Sequence, residues 1–191
     1  MKYLKLLGLL VMAAALMMAF AGSASAATFT APAGTAYTGG VSASLEGSAV
    51  LKAGFAEITC TASTGAGTMT TNNETEASGT ISTVDFAGCG SSTVTTLNNS
   101  GTLKILKSNT VVSGTGVEVT VSTLGTSCVY GLGSTSTSLG TATNTGSGLT
   151  AAVTLAVSAS LPKISGGFLC ANPASLMASY KVTAPMPSVV D

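Results

Sequence analysis

The residues best equipped for chemistry in this chain of 191 are its four cysteines, Cys60, Cys89, Cys128 and Cys170. Zinc sites built on thiols use cysteines two to four positions apart or recruit histidine. No two of these cysteines share that spacing and the chain contains no His, so neither a metal centre nor any other cofactor is expected. Covalent stapling remains. Four cysteines allow three pairings; Cys60 with Cys89 and Cys128 with Cys170 is favoured because each bond joins neighbours in order along the chain. Loops of about 30 and about 43 residues would each contribute roughly 3.5 to 4 kcal/mol through loop entropy. Against a net stability of about 5 to 15 kcal/mol that contribution is decisive.

The remaining reactive side chains are mostly absences. Without His the usual general base is missing, and without Arg so is the planar clamp for phosphate or carboxylate. Glu46, Glu57, Glu74, Glu76 and Glu118 fall on outward strand positions or in a loop, where solvation explains them. Asp85 is the exception: flanked by Val84 and Phe86 and near Cys89, it is expected to be partly buried and to accept from turn amides. An intramolecular isopeptide bond would need Lys52 or Lys104 held against Asp85 or Glu57 in a tight apolar site. The glycine pairs of Gly65-Ala66-Gly67 and Gly131-Leu132-Gly133 lead into Thr and Ser runs, not helices, and are not phosphate cradles. The expectation is a protein without a catalytic residue.

The amino terminus reads as an address. Lys2 and Lys5 precede an uncharged apolar run from Leu6 to Phe20, and Ala24-Ser25-Ala26 is a small-x-small pattern, so residues 1–26 are expected to leave as a signal peptide cut between Ala26 and Ala27. The run is shorter than the roughly 20 residues of a spanning helix, and no later apolar stretch reaches that length. The exported remainder carries five lysines and seven acids. That balance excludes the clustered cations needed to neutralise a nucleic-acid backbone. Cysteines confined to the exported part fit an oxidising compartment, so the expected location is extracellular or at the cell surface, with the periplasm also compatible.

Elements that must position the cysteines follow from period-two patterning. In Phe55-Ala56-Glu57-Ile58-Thr59-Cys60-Thr61-Ala62, apolar Ala56, Ile58, Cys60 and Ala62 alternate with polar residues, a half-buried strand with a cysteine on its inner face. Asn72-Asn73-Glu74-Thr75-Glu76 is the expected hairpin loop of an excursion that brings Cys89 back to Cys60. Residues 93–97 and 102–107, joined by Asn98-Asn99-Ser100-Gly101, read as a second hairpin. Val117, Val119 and Val121 alternate cleanly with Glu118, Thr120 and Ser122, and 149–161 is a longer strand ended by Pro162. One short helical turn is expected within 168–177, then a last strand over 179–183. Abundant Ser, Thr, Gly and Val favour strands over helices throughout. The fold class is therefore all-β: one sandwich or barrel of about ten short strands over residues 41–191, preceded by an extended arm at 27–40. That arm reads either as an edge strand with its loop or as a strand that exchanges into another molecule.

The signal peptide, Glu57-Ile58-Thr59-Cys60-Thr61, the closing Phe86-Ala87-Gly88-Cys89 and the later Cys128 and Cys170 together resemble a group of small exported bacterial proteins, the PraB-like proteins associated with alkane oxidation. The resemblance implies a secreted or surface-attached protein linked to growth on alkanes and to biofilm matrix or adhesion, with no known catalytic residues. Two functions are expected: a structural or adhesive component that self-associates or contacts a cell surface or matrix, and a module that carries a small apolar molecule inside the sandwich or barrel.

Overall fold

The computed structural model describes residues 29–31, 35–54, 56–98, 100–106, 108–145, 151–185 and 189–190. The expected signal peptide, residues 1–26, and its expected cut between Ala26 and Ala27 lie outside them. Within the described residues there are strands and turns and no helix. The strands are β1 (Phe29–Ala31), β2 (Thr35–Ala36), β3 (Gly39–Leu45), β4 (Ala49–Ala53), β5 (Ala56–Cys60), β6 (Ala62–Asn72), β7 (Glu76–Ala87), β8 (Thr93–Asn98) and β9 (Thr102–Leu106). They continue as β10 (Val111–Thr115), β11 (Glu118–Thr123), β12 (Thr126–Gly131), β13 (Thr137–Thr145), β14 (Ala152–Leu161), β15 (Lys163–Gly166), β16 (Ala174–Ala184) and β17 (Val189–Val190). The expected ten strands are exceeded because several long polar runs, such as 137–145, also pair, and because short two- and three-residue strands flank the barrel.

Eight antiparallel strands close on themselves in the order β14, β13, β10, β9, β7, β6, β3, β16 and back to β14. Closure gives every strand in the ring a bonded neighbour on each side, with β7 bonding β9 through Glu76–Thr80 and β6 from Ala77 to Ala87. The inner face follows from register: Leu155 stands opposite Tyr180, Val157 opposite Ala178 and Ala159 opposite Leu176, while Tyr180 faces Leu45 across its other edge. Along β7, Val84 and Phe86 point in with Ile81 and Gly79, displaced by register shifts at Ala66/Gly67 and Met69/Thr71 of β6. Such bulges bend the wall and tighten its twist. Gly67 and Gly79 make this possible, because a Cβ on either would come within 2.3 Å of a carbonyl oxygen on the facing strand.

Where β3 ends at Leu45 the wall forks. β16 bonds β3 through residues 180–184 and β4 through 175–177 on the same edge, so β4 carries on along β16 after the turn at Glu46–Ser48 and pairs outward with β5. The fork is pinned by Cys60–Cys89, which joins the end of β5 to the residues just beyond β7. Because Ala62 pairs with Ala87, this bridge sits at the base of the β6–β7 hairpin, and Asn73 Oδ1 at the far tip accepts from the Thr75 and Glu76 amides. A second sheet, in the order β15, β12, β11, β8, lies against the barrel and the β4–β5 hairpin. Its Val94, Val119, Val121 and Tyr130 share one core with Leu51 and Ile58, and the Thr96 hydroxyl donates to the Val84 carbonyl of the barrel wall. Cys128–Cys170 ties β12 to the loop that follows β15. A small sheet of β17, β1 and β2 brings residues 29–31 and 35–36 of the expected arm together with β17 of the same chain, and Gly39 and Gly40 already belong to the barrel strand β3.

Three sequence expectations change. β8 and β9 do not form a hairpin: β8 pairs with β11 and β9 with β7 and β10, so the chain crosses from the second sheet into the barrel at residues 98–101. Both runs carry a period-two face, and pattern alone does not say that the two faces belong to different sheets. No helical turn forms within 168–177: residues 174–177 open β16, where ladders with β14 and β4 on its two edges outweigh the helix propensity of an Ala-Ser-Leu-Met run. Asp85 is exposed, not partly buried, because the alternation that turns Val84 and Phe86 inward turns it out.

Candidate functional site

Between the barrel wall, the β4–β5 hairpin and the second sheet lies a cavity of about 260 Å³. Its surface is built by Leu103, Ile105, Leu155 and Val157 of the barrel with Val119 and Tyr130 of the second sheet, so both sheets are required to form it. None of the lining residues is charged. A single water-filled reading does not suit such walls, since apolar cavities offer water too few partners. Where Thr68, Thr80 and Thr83 reach the boundary they are outward residues of β6 and β7, so the barrel meets the cavity there mainly through glycine and backbone.

Two tyrosines line this cavity, and the circumstances of their hydroxyls differ. Tyr180 of β16 reaches across to Ser63 of β6, with the hydroxyls 2.9 Å apart. Ser63 is only 4% exposed, so this bond satisfies two polar groups removed from water. Burial raises the Tyr180 phenol above its ordinary value and the Ser63 hydrogen bond offsets part of that rise. Tyr130 of β12 is 0% exposed, and its hydroxyl has no hydrogen-bond partner among the described residues. Burial likewise raises its phenol. Leaving a buried hydroxyl unpaired costs about 1 to 3 kcal/mol, so Tyr130 is an expensive choice where Phe would fill the same space.

Tyr130 and Ile58 also line a second cavity of about 190 Å³, on the side of the Cys128–Cys170 bridge. Leu124 and Leu169 form part of its rim. Leu124 occupies a tight turn between β11 and β12, with φ of +49° followed by Gly125 at +75°, a two-residue type I′ arrangement that favours Asn or Gly over a branched apolar side chain. It is 84% exposed, and Phe168, two residues before Cys170, is 94% exposed.

The cysteines singled out from sequence are joined in two bridges, 60 to 89 and 128 to 170. The other candidates are not brought together. Lys52 pairs with Glu57 across the β4–β5 hairpin at 3.1 Å and Lys104 pairs with Glu76, each on the outer surface, where an ion pair contributes about 0 to 1 kcal/mol. Neither lysine faces Asp85. Among the described residues no group of three metal-ligating side chains converges, and no helix is long and apolar enough to cross a membrane. The residue that sequence reasoning passed over is Tyr130. Its signal was present: it lies two positions beyond Cys128, so a strand with that cysteine inward must turn the phenol inward too. Comparison with protein-family models, curated proteins and solved structures returns no match for this chain.

Proposed function

We propose that this protein acts outside the cytoplasm as a non-enzymatic binding module that holds one small, neutral, largely apolar molecule within its barrel. The observation that carries the reading is the cavity of about 260 Å³ with uncharged walls. A cavity of about 150 Å³ accepts benzene, so by proportion this one takes about ten non-hydrogen atoms. Two disulfides and a closed ring of strands support a preformed site, in which little ordering cost is left to be met on binding. Titration calorimetry of the oxidised chain with indane tests it. The expected result is one-site binding with a dissociation constant below about 1 mM, weakened at least tenfold by Ala43→Phe or Leu155→Phe, each of which puts bulk into the cavity. Absence of heat from indane, or binding indifferent to both fillings in variants that keep their fold, refutes the reading.

A second reading, self-association or adhesion to a cell surface or matrix, is favoured by the exposed Leu124 and Phe168 near the Cys128–Cys170 bridge. It predicts concentration-dependent assembly in sedimentation that Phe168→Ser abolishes. A monomer at every concentration removes its support.

A further inference from the structure

We infer that the second cavity, of about 190 Å³, is a binding site in its own right and takes one neutral, wholly apolar molecule of about seven or eight non-hydrogen atoms. It is separate from the barrel site, and the inference does not depend on what the barrel holds.

This cavity lies among the β4–β5 hairpin, the β11–β12 hairpin and Leu169, and it shares only Ile58 and Tyr130 with the lining of the barrel cavity. Its other walls include Ala53 and Ala56 of the first hairpin and Val121 and Cys128 of the second, and no charged side chain lines it. An ion would enter without a counter-charge, which excludes carboxylates and amines. Of the two threonines in the lining, Thr123 already accepts from the Ser92 hydroxyl at 2.9 Å, so water would find few partners there. Size follows by proportion from the cavity of about 150 Å³ that accepts benzene. The rim supplies an independent observation. Leu124 stands in left-handed backbone that Asn or Gly adopts at little cost, and its apolar side chain is mostly in water. It is unfavourable on both counts, and so exposed a side chain has little packing within the chain to offset them. Strained positions persist where function uses them. Leu169, half-exposed, lines the same cavity, and the Cys128–Cys170 bridge holds it there by tying the next residue to β12. An apolar molecule in the cavity would cover both leucines and use the exposure that the free protein leaves idle.

The test follows the methyl resonances of Leu124, Leu169 and Val121 while toluene is titrated into the oxidised chain. Ring-current shifts that saturate with a dissociation constant of about 1 mM are expected. Leu155→Phe, which puts bulk into the barrel cavity, should leave them in place, whereas Ala56→Leu, which puts bulk into this one, should weaken binding at least tenfold. Leu124→Gly alters only an exposed turn and should weaken it about fivefold, the scale of one half-covered leucine side chain. Absence of saturable shifts in wild type overturns the inference, as does binding indifferent to both Ala56→Leu and Leu124→Gly. Shifts abolished by Leu155→Phe place the toluene in the barrel, overturning the second site and leaving the barrel reading standing. Shifts that appear only as protein concentration rises assign the rim to contact between copies and overturn it too.

Discussion

The same substitution, Tyr to Phe, is expected to have opposite signs at two positions facing one interior. At Tyr130 it removes a hydroxyl that is 0% exposed and unpartnered among the described residues, so the free protein gains back the desolvation cost, about 1 to 3 kcal/mol. At Tyr180 it deletes one side of the 2.9 Å bond to Ser63 and strands a serine hydroxyl that is 4% exposed. The loss is the net bond, about 0.5 to 1.5 kcal/mol, plus some of the penalty for the orphaned serine, so destabilisation of about 1 to 3 kcal/mol is expected. With a urea slope of about 1 to 3 kcal/mol per molar, the two midpoints should move apart by about 1 M or more. Equilibrium urea unfolding of both oxidised variants, with ligand excluded, reads this directly. Destabilisation by Tyr130→Phe would refute the reasoning, because it would mean that the hydroxyl is already satisfied in the free protein.

Three further outcomes follow from the geometry. Replacing Cys60 and Cys89 together by Ala should cost about 3.6 kcal/mol and replacing Cys128 and Cys170 about 3.9 kcal/mol, from bridges spanning 29 and 42 positions, as read by thermal or urea unfolding. Leu124→Gly should stabilise by roughly 1 kcal/mol, since the side chain is 84% exposed and its φ of +49° is strained for Leu but free for Gly; a loss of stability would show a packing role that exposure does not suggest. Burial holds both the Tyr130 and Tyr180 phenols above the ordinary 10.0, so the neutral form is favoured in the folded state. Their contribution is then fully present below about pH 10 and is lost as pH rises through the folded values. The alkaline fall in the urea midpoint should be shallower in the Tyr130→Phe, Tyr180→Phe double variant than in wild type.

How much of this was legible beforehand depends on the range of the interaction. Val119 and Val121, Ile58 and Cys60 announced their strands because alternation is a local property, and all four are buried as it requires. The hairpin over Asn72–Glu76 was legible for the same reason, as its Asn73 side chain makes the turn from residues within three positions. The placement of β8 and β9 was not, because which sheet a two-faced run joins is decided by partners elsewhere in the chain, β11 for one and β7 with β10 for the other. The ring likewise depends on β16 meeting both β14 and β3, and nothing near Tyr180 in sequence indicates that Leu45 and Leu155 will flank it. The cavity is a still later consequence: it exists only once Val119 and Tyr130 of one sheet are set against Leu103 and Val157 of the other.

β16 carries a cost that the finished molecule conceals. In a polypeptide delivered amino end first, β3 has to wait with one edge bare until residues 180–184 arrive to bond it. During that interval the nascent sheet is an open template with its greasy side uncovered, the condition under which chains stick to one another. The last long strand therefore works as a latch, and synthesis stalled just short of it would yield an adhesive half-shell in place of the joined ring.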